Sequence, residues 1–440
     1  MAKRIQPDRA AARVEIAEPT LRYMTDGIRT VCGTFKKRLP GSQAERDAQA
    51  FFKEELEGYA DEAVMEDFTL HPEAFMGFIP FAAALLLAAV ALYFFGGASV
   101  IAAVLGAALA LLIVVVFLFE FLFYRPFVDF LFPKKVSRNV YAIRRPAGAL
   151  KRRIVFIGHT DAAREWTYSW LGEKAGLAVV LFGAMYGMGI TLLASAVNAV
   201  YVAAARAMDQ PLASKWEGGW LVWSILLLLA VPFALAIMKF INYKVTVDGA
   251  NDNLSANYIA MSVLKEMAES GLRLENTEVG CLLTGAEEAG LRGARAFAAA
   301  HKDAFSDPDV ETIFIAMDTM REIEELRICN FGCTGTVKND PAVGDLLRGA
   351  GRACGIEIPD SELYPGAVDS EAFSLQGLRA SGFTGVSHEA RRYYHTRQDT
   401  PDNMDPACLA LCLNLCKEAV RIFDRGGMRD YDEAREEALV

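Results

Sequence analysis

The sequence predicts an α/β domain that is interrupted by two transmembrane helical hairpins. Over most of the chain, short apolar runs typical of buried strands alternate with amphipathic helical segments. Two other regions contain uncharged segments that are long enough to cross a bilayer. The 440 residues are also 53% hydrophobic with positive mean hydropathy, which is too apolar for a purely soluble protein. The net charge of -10, without a basic stripe, argues against nucleic acid as a partner.

Residues 1–74 are expected to form the first part of the α/β domain. Two helices are predicted between residues 18 and 57, with a break at Pro40-Gly41 and Ser42 suited to cap the second helix. A strand of alternating polarity follows from Ala63 to Leu70. This N-terminal segment contains no apolar core of the length that a signal peptide needs, so none is predicted.

The first transmembrane hairpin is predicted at residues 75–124. No charged residue occurs from Phe75 to Phe119, which leaves room for two helices of ~20 residues across a ~30 Å hydrocarbon core. Gly96-Gly97 is the expected turn, and aromatic residues beside it suit the membrane interface.

The second transmembrane hairpin is predicted at residues 175–240. Its two uncharged runs are Ala175 to Ala205 and Gly218 to Met238. Buried core helices are the alternative, but uncharged runs of this length are rare in a globular core. The α/β domain is therefore expected to continue at residues 125–174 and to finish with residues 241–440.

Basic residues are distributed unevenly around the predicted hairpins. Those next to the α/β domain are Arg125, Lys134, Lys135, Arg138, Arg164, Lys174, Lys239 and Lys244. The opposite side carries Arg206 and Lys215. By the positive-inside rule, the sequence predicts a multi-pass protein of the cell membrane with four spans, whose α/β domain and termini face the cytoplasm.

Adjacent carboxylates follow one of the predicted strands. Glu287 and Glu288 come just after the apolar run Val279 to Leu283, and the glycines at 285, 290 and 293 allow tight turns before the next helix. A solvated acidic loop would explain such a pair if it stood alone. In open α/β sheets, however, ligands bind at this end of the strands.

Other polar residues also fall at strand ends or in loops. His159 and Asp161 follow the run Ile154 to Ile157, Asp318 follows Thr312 to Met317, and further candidates are Asp252 and His395. An isolated His-x-Asp pair is a weak signal, but a metal-bound imidazole needs an acceptor for its other nitrogen.

Two histidines and three carboxylates are a suitable set for two zinc ions that share one bridging carboxylate and hold a water. The set comprises His159, Asp252, Glu288, Asp318 and His395. Glu287 then remains as a general base that could activate the water.

These motifs resemble those of metallopeptidase family twenty-eight, the co-catalytic zinc aminopeptidases, and they occur in that family's order. They are His159-x-Asp161, Gly249-Ala250-Asn251-Asp252-Asn253, Glu287-Glu288-x-Gly290-Leu291-x-Gly293, Asp318, and Tyr394-His395-Thr396 with Asp399-Thr400. Arg38-Leu39-Pro40-Gly41-Ser42 and the helix after it are also similar. The resemblance covers the chain apart from the two hairpins.

The resemblance implies an α/β/α sandwich around a mixed, mostly parallel sheet. It also implies a role for each site residue. Asp252 would bridge two Zn²⁺ ions, with His159 and Asp318 completing one site. Glu288 and His395 would complete the other site. Glu287 would be the general base, and Asp161 would orient His159.

Two departures from the family pattern accompany the resemblance. Thr319 follows Asp318 where Met is frequent, and Asp369-Ser370-Glu371 stands where Ser-Asp-His is common. Neither position is a proposed ligand, so we expect the changes to affect the substrate pocket more than the chemistry. Tyr364 and Tyr394 are the candidates for stabilising an oxyanion.

The cysteines and the remaining histidines are expected to have ordinary roles. Cys408, Cys412 and Cys416 recur on one face of a C-terminal helix among leucines, which favours core packing over a further metal site. Free thiols fit a reducing compartment. His71, His301 and His388 have no comparable neighbours in the sequence.

The sequence thus favours a membrane-anchored zinc aminopeptidase that acts on peptides. A single-zinc acyltransferase similar to the glutaminyl cyclases is one alternative, and a non-catalytic scaffold similar to the transferrin receptor relatives is another. Five ligands and a base count against the scaffold, whereas metal content and product would decide between the two enzymes. The sequence does not indicate an oligomeric state.

Overall fold

The computed structural model describes residues 6–360, 366–387 and 393–437. The helices in these ranges are α1 (Glu18–Thr34), α2 (Gln43–Glu57), α3 (Ala74–Phe95), α4 (Val100–Val116), α5 (Thr167–Ala207), α6 (Gly218–Ile237), α7 (Ser255–Glu269), α8 (Arg292–Ala300), α9 (Lys302–Phe305), α10 (Pro341–Ala353), α11 (Ser370–Ser374), α12 (Pro406–Gly426) and α13 (Arg429–Glu437). The strands are β1 (Glu62–Leu70), β2 (Lys135–Arg144), β3 (Arg152–His159), β4 (Arg164–Trp166), β5 (Ile241–Thr246), β6 (Thr277–Thr284), β7 (Glu311–Met320), β8 (Arg327–Cys329), β9 (Phe331–Gly332), β10 (Val337–Lys338) and β11 (Arg379–Gly385).

The chain divides into two compact units. The first, which we call the sheet unit, consists of Met1–Pro72, Lys134–Arg164 and Val245–Val440. The second, the helical unit, consists of Glu73–Pro133 and Glu165–Lys244.

The sheet unit is built on a mixed sheet in the order β1-β2-β6-β3-β7-β11-β8. Its centre is parallel, because β3 pairs in parallel with β6 and β7, and β11 pairs in parallel with β7. The edges are antiparallel, with β1 on β2, β2 on β6, and β8 on β11. A mixed, mostly parallel sheet was the prediction, and the structure confirms it.

Helices cover both faces of this sheet. Along β3, Ile154 and Phe156 belong to one buried cluster, whereas Val155 and Ile157 belong to another. Successive strand residues point to opposite faces, so both faces are packed. The first cluster includes residues of α1, α2, α7, α10 and α12, and the second includes residues of α8 and α11. The α/β/α sandwich is therefore confirmed.

The N-terminal predictions also agree with the structure. Helices α1 and α2 are separated at Pro40-Gly41, where Gly41 has a φ of 68°. Ser42 caps α2, because its side chain accepts a hydrogen bond from the Glu45 amide. This cap satisfies an amide of the first turn and so fixes the start of α2.

The helical unit contains four helices that are long and apolar enough to cross a membrane. These segments are Ala74–Phe95, Val100–Leu122, Ala175–Ala207 and Gly218–Ile237. Large apolar side chains along them are exposed, including Phe95, Ile101, Phe182 and Val200, as expected of surfaces that face lipid. Helix α5 begins at Thr167, earlier than the predicted start at Ala175, because the polar turn before the apolar run is also helical.

Candidate metal centre

His159 lies at the end of the central strand β3, and its main chain is fixed from α7. Asn257 Nδ2 donates to the His159 carbonyl at 2.7 Å. The imidazole is buried, with Nε2 3.1 Å from Asp252 Oδ1 and 3.9 Å from Asp318 Oδ1. Nδ1 lies 3.4 Å from Asp161 Oδ1, so the predicted proximity of Asp161 to His159 is present.

Asp252 lies in the turn that precedes α7, and its carboxylate contacts both histidines. Oδ1 is 3.1 Å from His159 Nε2, and Oδ2 is 3.1 Å from His395 Nε2. The turn is held by Asp399, which accepts from the main-chain amides of Asn251 at 2.8 Å and Asp252 at 3.2 Å. Asp399 also accepts from Asn251 Nδ2 at 2.8 Å. The sequence motif contained Asp399 but gave no indication of this role.

Two groups of potential ligands share Asp252. One contains His159 and Asp318, and the other contains Glu288 and His395, whose nearest atoms are 3.3 Å apart. Within each group the ligand atoms lie within 4.8 Å of one another. All five predicted ligands therefore come together. His159, Glu288 and Asp318 do so because the carboxyl ends of the parallel strands β3, β6 and β7 meet at one edge of the sheet.

The Glu287-Glu288 loop is held in place by Asp161, the residue that was predicted to orient His159. Asp161 Oδ1 accepts from the Glu287 amide and Oδ2 accepts from the Glu288 amide, each at 3.0 Å. Ala286 and Leu291 adopt left-handed conformations with φ of 55° and 59°. Gly293 is required for a different reason, since a Cβ there would lie 2.1 Å from the Gly285 carbonyl oxygen. Close packing of the loop on itself thus directs the two carboxylates to one place.

The donor set suits divalent metal ions. Carboxylates and imidazoles converge in a largely buried space, where repulsion among the carboxylates must be compensated. His159 Nε2 and Glu288 Oε1 are buried and accept or donate no hydrogen bond within the described residues, so each is available to a metal ion. Imidazole nitrogen and carboxylate oxygen are ligands that zinc accepts. The residues therefore fit zinc.

The electrostatics distinguish Asp252 from the carboxylates of Glu288 and Asp318. Burial raises the pKa of Glu288 to about 8 and the pKa of Asp318 to about 7. Burial also opposes ionisation of Asp252, but His159 and His395 hold the pKa of this carboxyl well below its usual range. Asp252 is thus the carboxylate most strongly held in its anionic form, which is the form that binds metal.

Both departures from the family pattern lie close to the candidate ligands, and the expectation that they affect mainly the substrate pocket stays a prediction. Thr319 Oγ1 donates to Asp318 Oδ1 at 2.9 Å and so contacts a candidate ligand. Asp369 was not predicted as a site residue, but it is buried, and its charge adds to the raised pKa of Glu287. Its Oδ2 accepts from Thr284 Oγ1 at 2.5 Å.

Tyr394 is the oxyanion candidate that the structure describes, since Tyr364 lies outside the described residues. The Tyr394 ring centroid is 4.2 Å from that of His395. Burial raises the pKa of Tyr394 well above its usual value, and the carboxylates of Asp252 and Asp318 raise it further. The phenol is therefore close to the candidate metal centre and protonated at neutral pH.

The cysteines pack in the core, as the sequence indicated. All eight are buried with free thiols. Cys408 Sγ lies 3.9 Å from Cys412 Sγ, and Cys416 Sγ lies 3.5 Å from Met317 Sδ. His301 contacts Glu66 at 2.9 Å, and His388 lies outside the described residues.

The comparisons with known proteins agree with this geometry. Residues 238–420 match the model of peptidase family M28. Solved structures with a similar fold include a Fimbriiglobus ruber glutaminyl cyclase, with 13% identity over 96% of this chain and 99% of that chain and a TM-score of 0.51. An aminopeptidase from Aneurinibacillus sp. strain AM-1 has 14% identity over 93% of each chain and a TM-score of 0.50.

A zinc aminopeptidase from Bacillus subtilis is also similar, with 12% identity over 91% of this chain and 94% of that chain and a TM-score of 0.50. At these identities the likeness shows the fold. A search of curated proteins gave no match. The family model confirms the resemblance indicated by the motifs over residues 238–420.

Proposed function

We propose that this chain, whose residues 238–420 match peptidase family M28, is a membrane-anchored di-zinc aminopeptidase that removes N-terminal residues from peptides. The observation that carries the proposal is the placement of Asp252. Each of its carboxylate oxygens is 3.1 Å from a different histidine, and each histidine has a further carboxylate beside it. One carboxylate between two half-sites is what a co-catalytic metal pair requires.

In this proposal His159, Asp252 and Asp318 hold one Zn²⁺, and Asp252, Glu288 and His395 hold the other. When bound, zinc lowers the pKa of water towards neutrality and polarises a carbonyl group. Asp161, whose Oδ1 lies 3.4 Å from His159 Nδ1, would orient the imidazole of a metal-bound His159. It also fixes the Glu287-Glu288 loop through two amides. The phenol of Tyr394 is a donor suited to a developing oxyanion.

Glu287 is the proposed general base. Its Oε2 lies 3.8 Å from His159 Nε2. Glu287 belongs to neither of the two groups that share Asp252, although it forms a third group with His159 and Glu288. Burial raises its pKa well above the usual value, and although His159 opposes this shift, Glu288 adds to it. Such a carboxylate can take a proton from the attacking water and return it to the leaving amine.

A single-zinc glutaminyl cyclase is the second candidate, because solved cyclase structures share this fold with the aminopeptidases. A cyclase would use one of the two ligand groups and release ammonia from an N-terminal glutaminyl residue without consuming water. A non-catalytic scaffold is less well supported, since such a role gives no reason for ligand groups around a shared carboxylate.

We further propose that the sheet unit faces the cytoplasm. Basic residues accumulate where the chain joins the two units, and cytoplasmic flanks of membrane spans are enriched in such residues. On the other flank, Lys215 is enclosed by aromatic rings, with Nζ 4.0 Å from the Trp220 ring and 4.4 Å from the Tyr93 ring. That flank therefore has Arg206 as its exposed basic residue, against the eight basic residues beside the sheet unit.

The test uses the detergent-purified full chain loaded with zinc. Amino-acid amides, dipeptide amides and N-terminal glutaminyl peptides are the substrates, and zinc content is measured in the same samples. Release of free N-terminal residues with two zinc ions per chain supports the aminopeptidase. Formation of a pyroglutamyl product with one zinc ion would favour the cyclase. If neither product is formed, the result would favour the scaffold.

Variants separate the base from the ligands. Glu287→Gln keeps the size of the side chain but removes the proton acceptor, so we expect two bound zinc ions and turnover lowered by at least about a hundredfold. Glu288→Gln should instead lose zinc affinity. Glu54, which is exposed on α2, provides the control Glu54→Gln. Near wild-type turnover of Glu287→Gln with zinc intact would refute the proposed base.

A further inference from the structure

Two polar side chains of helix α2 are buried in the interior, where they contact the loops that carry the candidate ligands. Glu45 and Gln49 are one turn apart on the same face, and both are fully buried. Gln49 Nε2 donates to Thr160 Oγ1 at 2.9 Å, between His159 and Asp161 in the chain. Glu45 reaches the other loop, where Oε1 accepts from the Ala286 amide at 2.8 Å. This helix precedes the segment that matches the family model.

Glu45 has a local task that would by itself explain a glutamate here. Ser42 Oγ accepts from the Glu45 amide at 3.1 Å, and Glu45 Oε2 accepts from the Gly41 amide at 2.7 Å. This arrangement is a variant of the capping box, which needs one carboxylate oxygen. The other oxygen is not required by the cap, and it is the one that contacts Ala286.

The Ala286 contact completes a series of bonds along the Glu287-Glu288 loop. Four consecutive amides, from Gly285 to Glu288, each donate to a side-chain oxygen from another segment. Asn139 Oδ1 accepts the first at 3.1 Å, Glu45 the second, and Asp161 the third and fourth. Because Ala286 is left-handed, its amide fixes the direction in which the next two residues leave the strand.

We propose that Glu45 is a positioning residue for the metal centre, which sets the orientation of Glu287 and Glu288 through the Ala286 amide. The proposal rests on the function proposed above for these two glutamates. Gln at position 45 has one acceptor oxygen for two amides, so either the cap or the loop loses its partner. Displacements of about 1 Å can lower turnover by about a hundredfold.

The experiment compares Glu45→Gln with Ser42→Ala in the full chain. Ser42→Ala removes the cap bond to the Glu45 amide but leaves Ala286 untouched, so we expect a lower melting temperature with unchanged kcat. For Glu45→Gln we expect kcat lowered by about tenfold to a hundredfold, with KM and zinc content near wild type. Glu45→Asp should show the same loss, since the shorter side chain cannot span both amides, and it provides the test if Glu45→Gln does not fold.

A spectroscopic measurement makes the result independent of peptidase activity. In the cobalt-substituted protein, Glu45→Gln should shift the visible absorption bands of the metal, whereas Ser42→Ala should leave them unchanged. A shift without any wild-type hydrolysis would support the positioning role while refuting the aminopeptidase. Wild-type kcat and spectrum in Glu45→Gln, or equal changes in Glu45→Gln and Ser42→Ala, would overturn the positioning role.

Discussion

Asp161→Asn is expected to weaken zinc binding without unfolding the sheet unit. The Asp161 carboxylate is fully buried and accepts one hydrogen bond on each oxygen, from the amides of Glu287 and Glu288. It also lies 3.4 Å from His159 Nδ1. Asparagine offers one acceptor oxygen, so one amide would face an NH₂ group instead of an oxygen.

The magnitude follows from the ligands that Asp161 positions. The two amide hydrogen bonds are present with and without zinc, so their loss affects zinc affinity only by displacing His159 and Glu288. Groups that hold metal ligands in place typically affect metal affinity by about 10- to 100-fold. We therefore expect Asp161→Asn to raise the zinc dissociation constant by about 10- to 100-fold.

Competition with a chromophoric chelator measures this dissociation constant in the detergent-purified chain. Asp303 is exposed, and Asp303→Asn is the matched control for the loss of one negative charge. A thermal melt of the zinc-loaded protein checks that the variant is folded. If Asp161→Asn binds zinc within about twofold of the control, Asp161 does not hold the metal ligands in place.

Four further outcomes are expected. Asp252→Ala should lower occupancy of both zinc sites, measured by metal analysis, and a single zinc ion in active wild-type protein would contradict this. Removing zinc with a chelator should lower the melting temperature, since a ligand at a hundred times its dissociation constant stabilises a fold by about 2.7 kcal/mol. Gly293→Ala should destabilise the fold by about 1–3 kcal/mol in denaturant titrations, because its Cβ would clash with the Gly285 carbonyl oxygen. Impermeant protease added to intact cells should leave the sheet unit uncut, and cleavage there would reverse the proposed topology.

The parts of the site that could be predicted were those with a local signal in the sequence. His159 and Asp318 end apolar runs that had to be strands, and the carboxyl ends of parallel strands share one edge. Glu287 and Glu288 follow a further apolar run, and it was the other candidate ligands along the chain that distinguished them from a solvated acidic loop. The alternation of apolar residues in a strand and the residues of a turn are signals between positions close together in the chain. Such local signals can be recognised from the sequence alone.

The groups that hold the ligands could not be predicted in the same way. Asp399 accepts from the amides of Asn251 and Asp252 across about 150 positions of the chain, and nothing near Asp399 indicates that contact. Glu45 has the sequence signature of a helix cap, which conceals its second bond to Ala286. Every residue except proline has a main-chain amide. The sequence therefore does not show which amide a given side chain will bind.

Each of the two segments of the helical unit connects neighbouring points of the sheet unit. The first lies between Pro72 and Lys134, next to Leu70 and Lys135, which are paired in register between β1 and β2. The second lies between Arg164 and Val245, next to Ala163 and Val247, and the Val247 amide donates to the Ala163 carbonyl at 3.0 Å. In both places the ends are hydrogen-bonded neighbours, so an insertion there only lengthens a loop that the sheet unit already closes. Longer loops cost little free energy, about 0.6 kcal/mol for each doubling of length, so long helical insertions are compatible with an intact metal centre.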